Sequence, residues 1–334
     1  MTTIQKNYSL KAYNSFGMDV KTKGFAQLTD TEVLPELIRA NPFENLLILG
    51  GGSNILFTRD FDGLILHLAN KGIQIIWETD QKIGLEIQAG ENWHTLVLWC
   101  LKHQYGGIEN LALIPGQVGA APIQNIGAYG VEFESVFHSC TVLDVDSLQT
   151  KELSKEDCKL SYRNSIFKNE AKGKYIILSV QIALHKSPHP LHLEYGALKN
   201  QITTANPTIE DVAQAVMAIR KAKLPDPEIL GNGGSFFKNP VVTENHFTTL
   251  LKEYPNLPHF DHPDGYKLPA AWLIDKLGFK GYRKGPVGVH EKQALVLVHY
   301  GGGTGAKLVT LAQTIEDKVL NTFGIRLERE VNVL

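Results

Sequence analysis

Three stretches of the chain repeat their apolar residues at helical spacing. In 91–105, Trp93, Leu96, Val97, Cys100 and Leu101 fall at i, i+3, i+4, i+7 and i+8. That spacing predicts a helix with one buried face, ended by Gly106. In 208–223, Val212, Ala215, Val216 and Ile219 form the apolar face, and Thr208 and Asp211 stand at capping-box spacing. Arg220, Lys221 and Lys223 crowd the end where the helix dipole favours cations. The following Leu224-Pro225-Asp226-Pro227 stops the helix and marks an expected domain boundary. In 306–323, Leu308, Leu311, Ile315 and Val319 share one side and Gly324 closes the run.

Between these helices the apolar runs are short. LLIL at 46–49 and LILHL at 64–68 flank a glycine turn and read as strand, loop, strand. Strands are also predicted over 136–145 and 175–184, and the alternating IRLEREVNVL at the end predicts another. The stretches 253–269 and 281–288 read as loops. The pattern is α+β with many strands, not the regular alternation of a doubly wound sheet.

The longest irregular stretch, 106–133, carries six glycines, two prolines and no Lys or Arg. Small residues let backbone approach a ligand closely, and glycine reaches positive φ, so that several N–H groups can point at one place. This suits a flat or phosphorylated cofactor held by main chain; a tightly packed internal turn would have the same composition. Gly50-Gly51-Gly52-Ser53-Asn54 follows a strand but lacks the third glycine and the helix of a dinucleotide fingerprint. It is left as an anion-binding nest or a hairpin-like turn. GGGTGAK at 301–307 fails the phosphate-loop pattern, and His290-Glu291 lacks the second His of a zinc protease.

The rest of the composition narrows the classes. The chain has 334 residues and a net charge of −2, with no long basic run, which disfavours a nucleic-acid partner. No apolar run approaches the ~20 residues of a membrane span. The N-terminal stretch lacks a secretory apolar core, and three cysteines without paired spacing fit a reducing cytoplasm. No metal site is expected.

Three further segments carry candidate chemistry. SYRNSIFK (161–168) offers Arg163, a rigid fork suited to a carboxylate or enolate, or else a surface Arg in a turn. GNGGSFFKNP (231–240) sets Ser235 after two glycines and before two aromatics. The hydroxyl could protonate a basic carbanion in a dry site, or mark a glycine turn into a buried strand. Glu328 and Glu330 share one face of the terminal run, which alone reads as a solvated face.

Taken together, LGGGSN (49–54), NLALIPGQVGAAPIQNIGAYG (110–130), SYRNSIFK, KLPDP (223–227), GNGGSFFKNP and LEREV (327–331) resemble the UDP-N-acetylenolpyruvoylglucosamine reductase family over nearly the whole chain. The resemblance implies an FAD-binding fold of the vanillyl-alcohol-oxidase type. One subdomain spans 1–72 with the terminal strand 327–334, a second spans 73–223, and an α+β substrate-binding domain covers 224–326. It implies FAD as cofactor and NADPH as co-substrate. The implied reaction reduces the enolpyruvyl ether of UDP-N-acetylglucosamine to the lactyl ether of UDP-N-acetylmuramate, in peptidoglycan synthesis. A monomer without nucleic-acid or membrane partners is expected.

Position by position, the resemblance makes Arg163 the group that polarises the substrate carboxylate. It makes Ser235 the proton donor and Glu330 the group against the same carboxyl. FAD would be held by Gly50, Gly51, Gly52, Ser53 and Asn54, and by Pro115, Gly116, Val118, Gly119 and Ala120. Gln124, Asn125, Gly127, Ala128 and Tyr129 would complete that loop, with Arg220 near the flavin. Tyr162, Tyr195, Lys223, Asn239, Lys280 and Gln293 would hold the substrate, and Tyr195 suggests the subtype that closes a tyrosine-bearing loop. With Ala120-Ala121 in place of hydroxyl residues, the FAD diphosphate is expected to rest on backbone donors. The terminal EVNVL is expected to be a sheet strand that activity requires. A different flavoenzyme on the same fold, such as an oxidase using oxygen, and a cofactor-binding regulator without chemistry are the alternatives.

Overall fold

The computed structural model describes residues 3–334 and divides into two compact units. The first comprises the residues up to Tyr8, Thr22–Gly51 and Asp62–Ala222; the second comprises Ser9–Lys21, Gly52–Phe61 and Lys223–Leu334.

The first unit holds two larger sheets and a two-stranded one, Gly127–Ala128 with Val131–Glu132. One has the order Gln5–Ser9, Lys21–Leu28, Phe61–Leu68, Asn45–Leu49. The two apolar runs around the glycine turn are parallel neighbours here, with Leu46 opposite Leu64 and Ile48 opposite Leu66. This rules out a hairpin at 50–54. Parallel strands need a crossover of roughly a dozen residues or more, and the intervening Gly52–Phe61 leaves this unit altogether. The second sheet is antiparallel, in the order Thr150–Ser154, Phe137–Asp144, Tyr175–His185, Lys82–Gln88, Ile73–Glu78.

The predicted helices lie where the periodicity put them, the first two with trimmed ends and the third one residue longer. Trp93–Lys102 starts at Asn92, whose side chain accepts from the Thr95 N–H. Its face buries Trp93, Leu96, Val97, Cys100 and Leu101, the five residues of the apolar stripe. The Trp93 indole N–H donates to the Leu111 carbonyl at 2.9 Å, which anchors the glycine-rich loop to the core. Ile209–Lys223 begins with the expected reciprocal cap between Thr208 and Asp211. All three cysteines are buried and free, Cys100 in this core and Cys140 with its Sγ 3.8 Å from that of Cys158.

In the second unit one sheet runs Gly231–Ser235, Val296–His299, Val287–Val289, Arg283–Lys284, and a small one runs Val241–Val242, Gly265–Lys267, Phe260–His262. Each of the stretches 253–269 and 281–288 thus contains a tight antiparallel hairpin, Phe260–His262 with Gly265–Lys267 and Arg283–Lys284 with Val287–Val289, while 254–259 is irregular as expected. Their strands are two or three residues long, too short to leave an alternation signal. Gly305–Phe323 forms the longest helix of this unit, closed by Gly324 at a φ of 67°.

The terminal run is not one continuous strand. Residues 328–330 exchange backbone bonds with 236–238, whereas Asn332–Val333 pairs in parallel with Ile55–Leu56. The chain changes partners around Val331, so no single ladder forms. The side chains diverge as well: Glu328 pairs with Lys238, and Arg329 forks onto Glu316 at 2.6 and 2.9 Å.

Burial disfavours protonation of His67, His94, His185 and His290, holding each below the ordinary imidazole value of 6.5. As pH falls through that value, the unfolded chain takes up protons that the folded chain refuses, so stability falls. The stabilising contribution is complete above it. Urea midpoints should therefore drop between neutral pH and about pH 5, and His94→Gln should shallow that drop. A midpoint independent of pH over this range would contradict the assignment.

Candidate active site

In the first unit two small-residue segments meet backbone to backbone. A Cβ added to Gly51 would lie 2.9 Å from the Gly116 Cα, and one on Gly50 would lie 3.2 Å from the Gln117 side chain. A Cβ on Gly119 would come within 2.6 Å of the Ala89 Cβ. The loop passes through positive φ at Leu113, Gly116, Asn125, Tyr129 and Gly130. The last two form the tip of a hairpin between Gly127–Ala128 and Val131–Glu132, the mirror-image turn that suits strand twist.

The N–H groups of Val118, Gly119, Ala120 and Ala121 are spent on Glu91, Ala89, Gln117 and Val118. At these four positions small side chains serve close packing rather than donation to a ligand. Pro115 precedes Gly116, and Gln124 precedes Asn125, at the two bends of the loop.

The Arg220 guanidinium faces this loop region beside Tyr129. Its Nε is buried and has no hydrogen-bond partner among the described residues. Burial holds its pKa below the usual arginine range, opposed by the neighbouring Tyr129, yet arginine keeps its charge in proteins. Desolvation raises the Tyr129 phenol above the ordinary tyrosine value, opposed by the Arg220 charge. A buried cation with an open donor needs a polar partner, and the oxygen- and nitrogen-rich edge of a flavin is such a partner. The close glycine contacts and this orphaned donor fit FAD. The ring of Tyr129 meets that of Tyr195 edge to face at 5.5 Å, and Tyr195 is 45% exposed.

Arg163 sits in a tight turn closed by mutual backbone bonds between Ser161 and Asn164. Its φ is 53°, a conformation that costs a non-glycine residue roughly 1–2 kcal/mol. Its Nη2 donates to the Gly127 carbonyl at 2.8 Å, and its guanidinium lies 5.3 Å from the Tyr162 ring centre.

In the second unit Ser235 ends the strand Gly231–Ser235, opposite Val296 and half-buried. The Glu330 N–H donates to the Phe236 carbonyl at 2.8 Å, so the Glu330 segment lies directly alongside the one bearing Ser235. Asn54 joins them, its amide donating to the Glu330 carbonyl at 3.2 Å. Gly52 cannot be replaced there: at a φ of 62°, a Cβ would sit 2.0 Å from the Tyr13 carbonyl, and Ser53 follows it into this unit. Gly233 is pinned by Phe16, whose ring would be 2.6 Å from a Cβ.

The expected substrate residues are placed less uniformly. The Asn239 oxygen accepts from the Ala270 N–H and so caps Ala270–Lys276. Lys280 is ion-paired with Asp275, Gln293 accepts from the Leu295 N–H at 3.4 Å, and Lys223 ends its helix exposed.

Residues 22–149 match the FAD binding domain family, and residues 226–334 match the C-terminal domain of UDP-N-acetylenolpyruvoylglucosamine reductase. The reductase of that name from Flavobacterium johnsoniae is 45% identical, over 99% of both chains. The chain belongs to the UDP-N-acetylenolpyruvoylglucosamine reductase family. Its relative from Amoebophilus asiaticus is 47% identical over 99% of both chains, and that from Pseudomonas aeruginosa 45%, over 99% of this chain and 98% of the relative. The solved UDP-N-acetylenolpyruvylglucosamine reductase of Thermus caldophilus shares the fold, with a TM-score of 0.70 at 20% identity, covering 100% of this chain and 99% of that one.

Three residues that the sequence reading did not single out support these segments, Asn110 and His94 in the first unit and Phe16 in the second. Asn110 is buried and donates to both the Tyr129 and His192 carbonyls, at 3.0 and 2.9 Å. The His94 Nδ1 accepts from the Leu113 N–H at 3.0 Å. Phe16 seats Gly231 and Gly233. Asn110 could have been noticed as a polar residue inside an apolar loop; Phe16 could not. Gly51→Ala should weaken FAD binding by roughly tenfold or more, since overpacking costs ~1–3 kcal/mol. Titration of apoprotein with FAD, followed by flavin fluorescence, measures this; unchanged affinity would mean that the Gly51–Gly116 contact does not shape the cofactor site.

Proposed function

We propose that this chain reduces UDP-N-acetylglucosamine enolpyruvate to UDP-N-acetylmuramate with NADPH, as an FAD-dependent oxidoreductase of peptidoglycan synthesis. The observation that carries the residue roles is the pairing of the Ser235 and Glu330 segments through the Phe236 carbonyl. When bound, FAD supplies the hydride that NADPH donates.

The residues of the chain do the rest. Hydride arriving at the β-carbon of the vinyl group leaves negative charge at the α-carbon, which spreads into the carboxylate. The Arg163 guanidinium binds that carboxylate and stabilises charge that grows in the transition state, where electrostatic catalysis acts most strongly. Ser235 protonates the α-carbon from one face and fixes its configuration, while Glu330 orients the carboxyl. Tyr162, Tyr195, Lys223, Asn239, Lys280 and Gln293 hold the nucleotide sugar. Asn239 then binds substrate from its capping position, and Lys280 exchanges Asp275 for phosphate.

Gly50–Asn54, Pro115–Gly116, Gln124, Gly127–Tyr129 and Arg220 hold FAD, while 118–121 shape the site by close packing, their N–H groups being spent within the protein. The two larger sheets of the first unit are read as the two FAD subdomains and 224–326 as the substrate-binding domain; the terminal 327–334, expected with the first subdomain, groups with the second unit. A cytoplasmic monomer fits a soluble nucleotide substrate; among the described residues no helix is long and apolar enough to cross a membrane. The test is NADPH consumption that depends on the enolpyruvyl nucleotide, with the lactyl ether as product. Oxidation of NADPH at the same rate without that nucleotide would overturn the assignment.

A further inference from the structure

The turn that bears Arg163 is tied to the glycine-rich loop by three hydrogen bonds of different kinds. The Ser165 hydroxyl donates to the Ile123 carbonyl at 2.6 Å. The Asn125 amide donates to the Ser161 carbonyl at 3.1 Å. Arg163 itself donates to the Gly127 carbonyl at 2.8 Å. Each bond reaches a different residue of 123–127, and together they bracket Arg163 on both sides.

Asn125 is the centre of this arrangement. It is fully buried, at 0% exposure. Its second amide hydrogen goes to Glu132 at 2.8 Å, and its oxygen accepts from the Glu134 N–H at 2.9 Å. An asparagine amide offers two donors, and both are taken within the protein. Its side chain therefore has nothing left to donate to a cofactor. The Ser161 carbonyl that it holds is also the acceptor that closes the Ser161–Asn164 turn. Fixing that oxygen from a second direction fixes the plane of the turn, and with it the direction in which Arg163 leaves a strained backbone.

Resting on the reading of Arg163 as the carboxylate-binding group, we propose that Asn125 and Ser165 are positioning residues that set the Arg163 guanidinium, and that the Asn125 side chain is not a cofactor ligand. The geometry makes the loop and the turn one latch: the loop packs by small residues, and the turn borrows its stiffness. A displacement of about an ångström in a positioning group is enough to cost ~10²-fold in rate.

A double-mutant cycle on the FAD-loaded enzyme tests this, read as the single-turnover rate with which the enolpyruvyl nucleotide re-oxidises the reduced enzyme. Asn125→Ala alone should slow that rate about ten- to a hundredfold, with FAD affinity and the rate of reduction by NADPH unchanged. In an Arg163→Ala background the same change should cost nothing further, because residues that act through one group are non-additive. Equal losses in both backgrounds, weakened FAD binding in Asn125→Ala, or no loss at all would overturn the latch. If Asn125→Ala does not fold, the same cycle with Ser165→Ala carries the test. Arg163→Ala alone separates the two ideas: no effect there sinks the underlying reading, whereas an Arg163 effect with additive Asn125 loss sinks the latch only.

Discussion

Arg163→Ala should lower the rate of enolpyruvyl reduction by about 10²–10³-fold, the scale of removing one donor aimed at developing oxyanion charge. Reduction of the bound flavin by NADPH should keep its parent rate, since nothing in that half-reaction loads negative charge onto the substrate carboxylate. The backbone provides a control. Arg163 occupies the left-handed region at a φ of 53°, where glycine is at ease. Arg163→Gly should therefore match the parent in thermal midpoint while losing as much activity as the alanine variant. Arg163→Lys keeps the charge but not the planar fork that meets a carboxylate with two bonds, so it should recover only part of the loss. Parent-like turnover in Arg163→Gly would remove the guanidinium from the chemistry.

Ser235→Ala should show the same asymmetry with a different signature. The rate of enolpyruvyl reduction should fall ~10²-fold or more, the scale of losing a general acid, while NADPH still bleaches the flavin. The hydroxyl stands one residue before Phe236, whose carbonyl receives the Glu330 N–H, and Phe236 is fully buried. Removing one oxygen from a half-buried position leaves that pairing intact, so stability should not change. With Arg163 still in place, the charged intermediate forms but lacks its proton donor. Rapid-quench analysis in deuterated solvent should then show slowed or stereochemically mixed deuterium at the α-carbon. Unchanged rate and configuration would take Ser235 out of the mechanism.

The helices were legible because each buries one repeating apolar face, and because Thr208 and Gly324 mark ends by chemistry that needs no tertiary context. The glycine loop was legible as a place of close backbone approach, and Gly51 against Gly116 is that approach. What it could not reveal is which polar groups are consumed internally: Asn125 reads as a ligand in sequence and is fully engaged by Ser161, Glu132 and Glu134 in the fold. The two-residue strands are too short for composition to carry a signal: Val241–Val242 pairs with the distant Tyr266–Lys267, and Arg283–Lys284 pairs across a tight turn with Val287–Gly288. The terminal run misled for a related reason. Its alternation is real, but it is divided between two partners, and alternation says nothing about how many neighbours share it.

The most direct test is an anaerobic two-step titration of the FAD-loaded protein. NADPH should bleach the flavin absorbance, and addition of the enolpyruvyl nucleotide, with oxygen still excluded, should restore it while one equivalent of the lactyl ether appears. A flavin that bleaches but regains its colour only when oxygen is admitted would contradict the account.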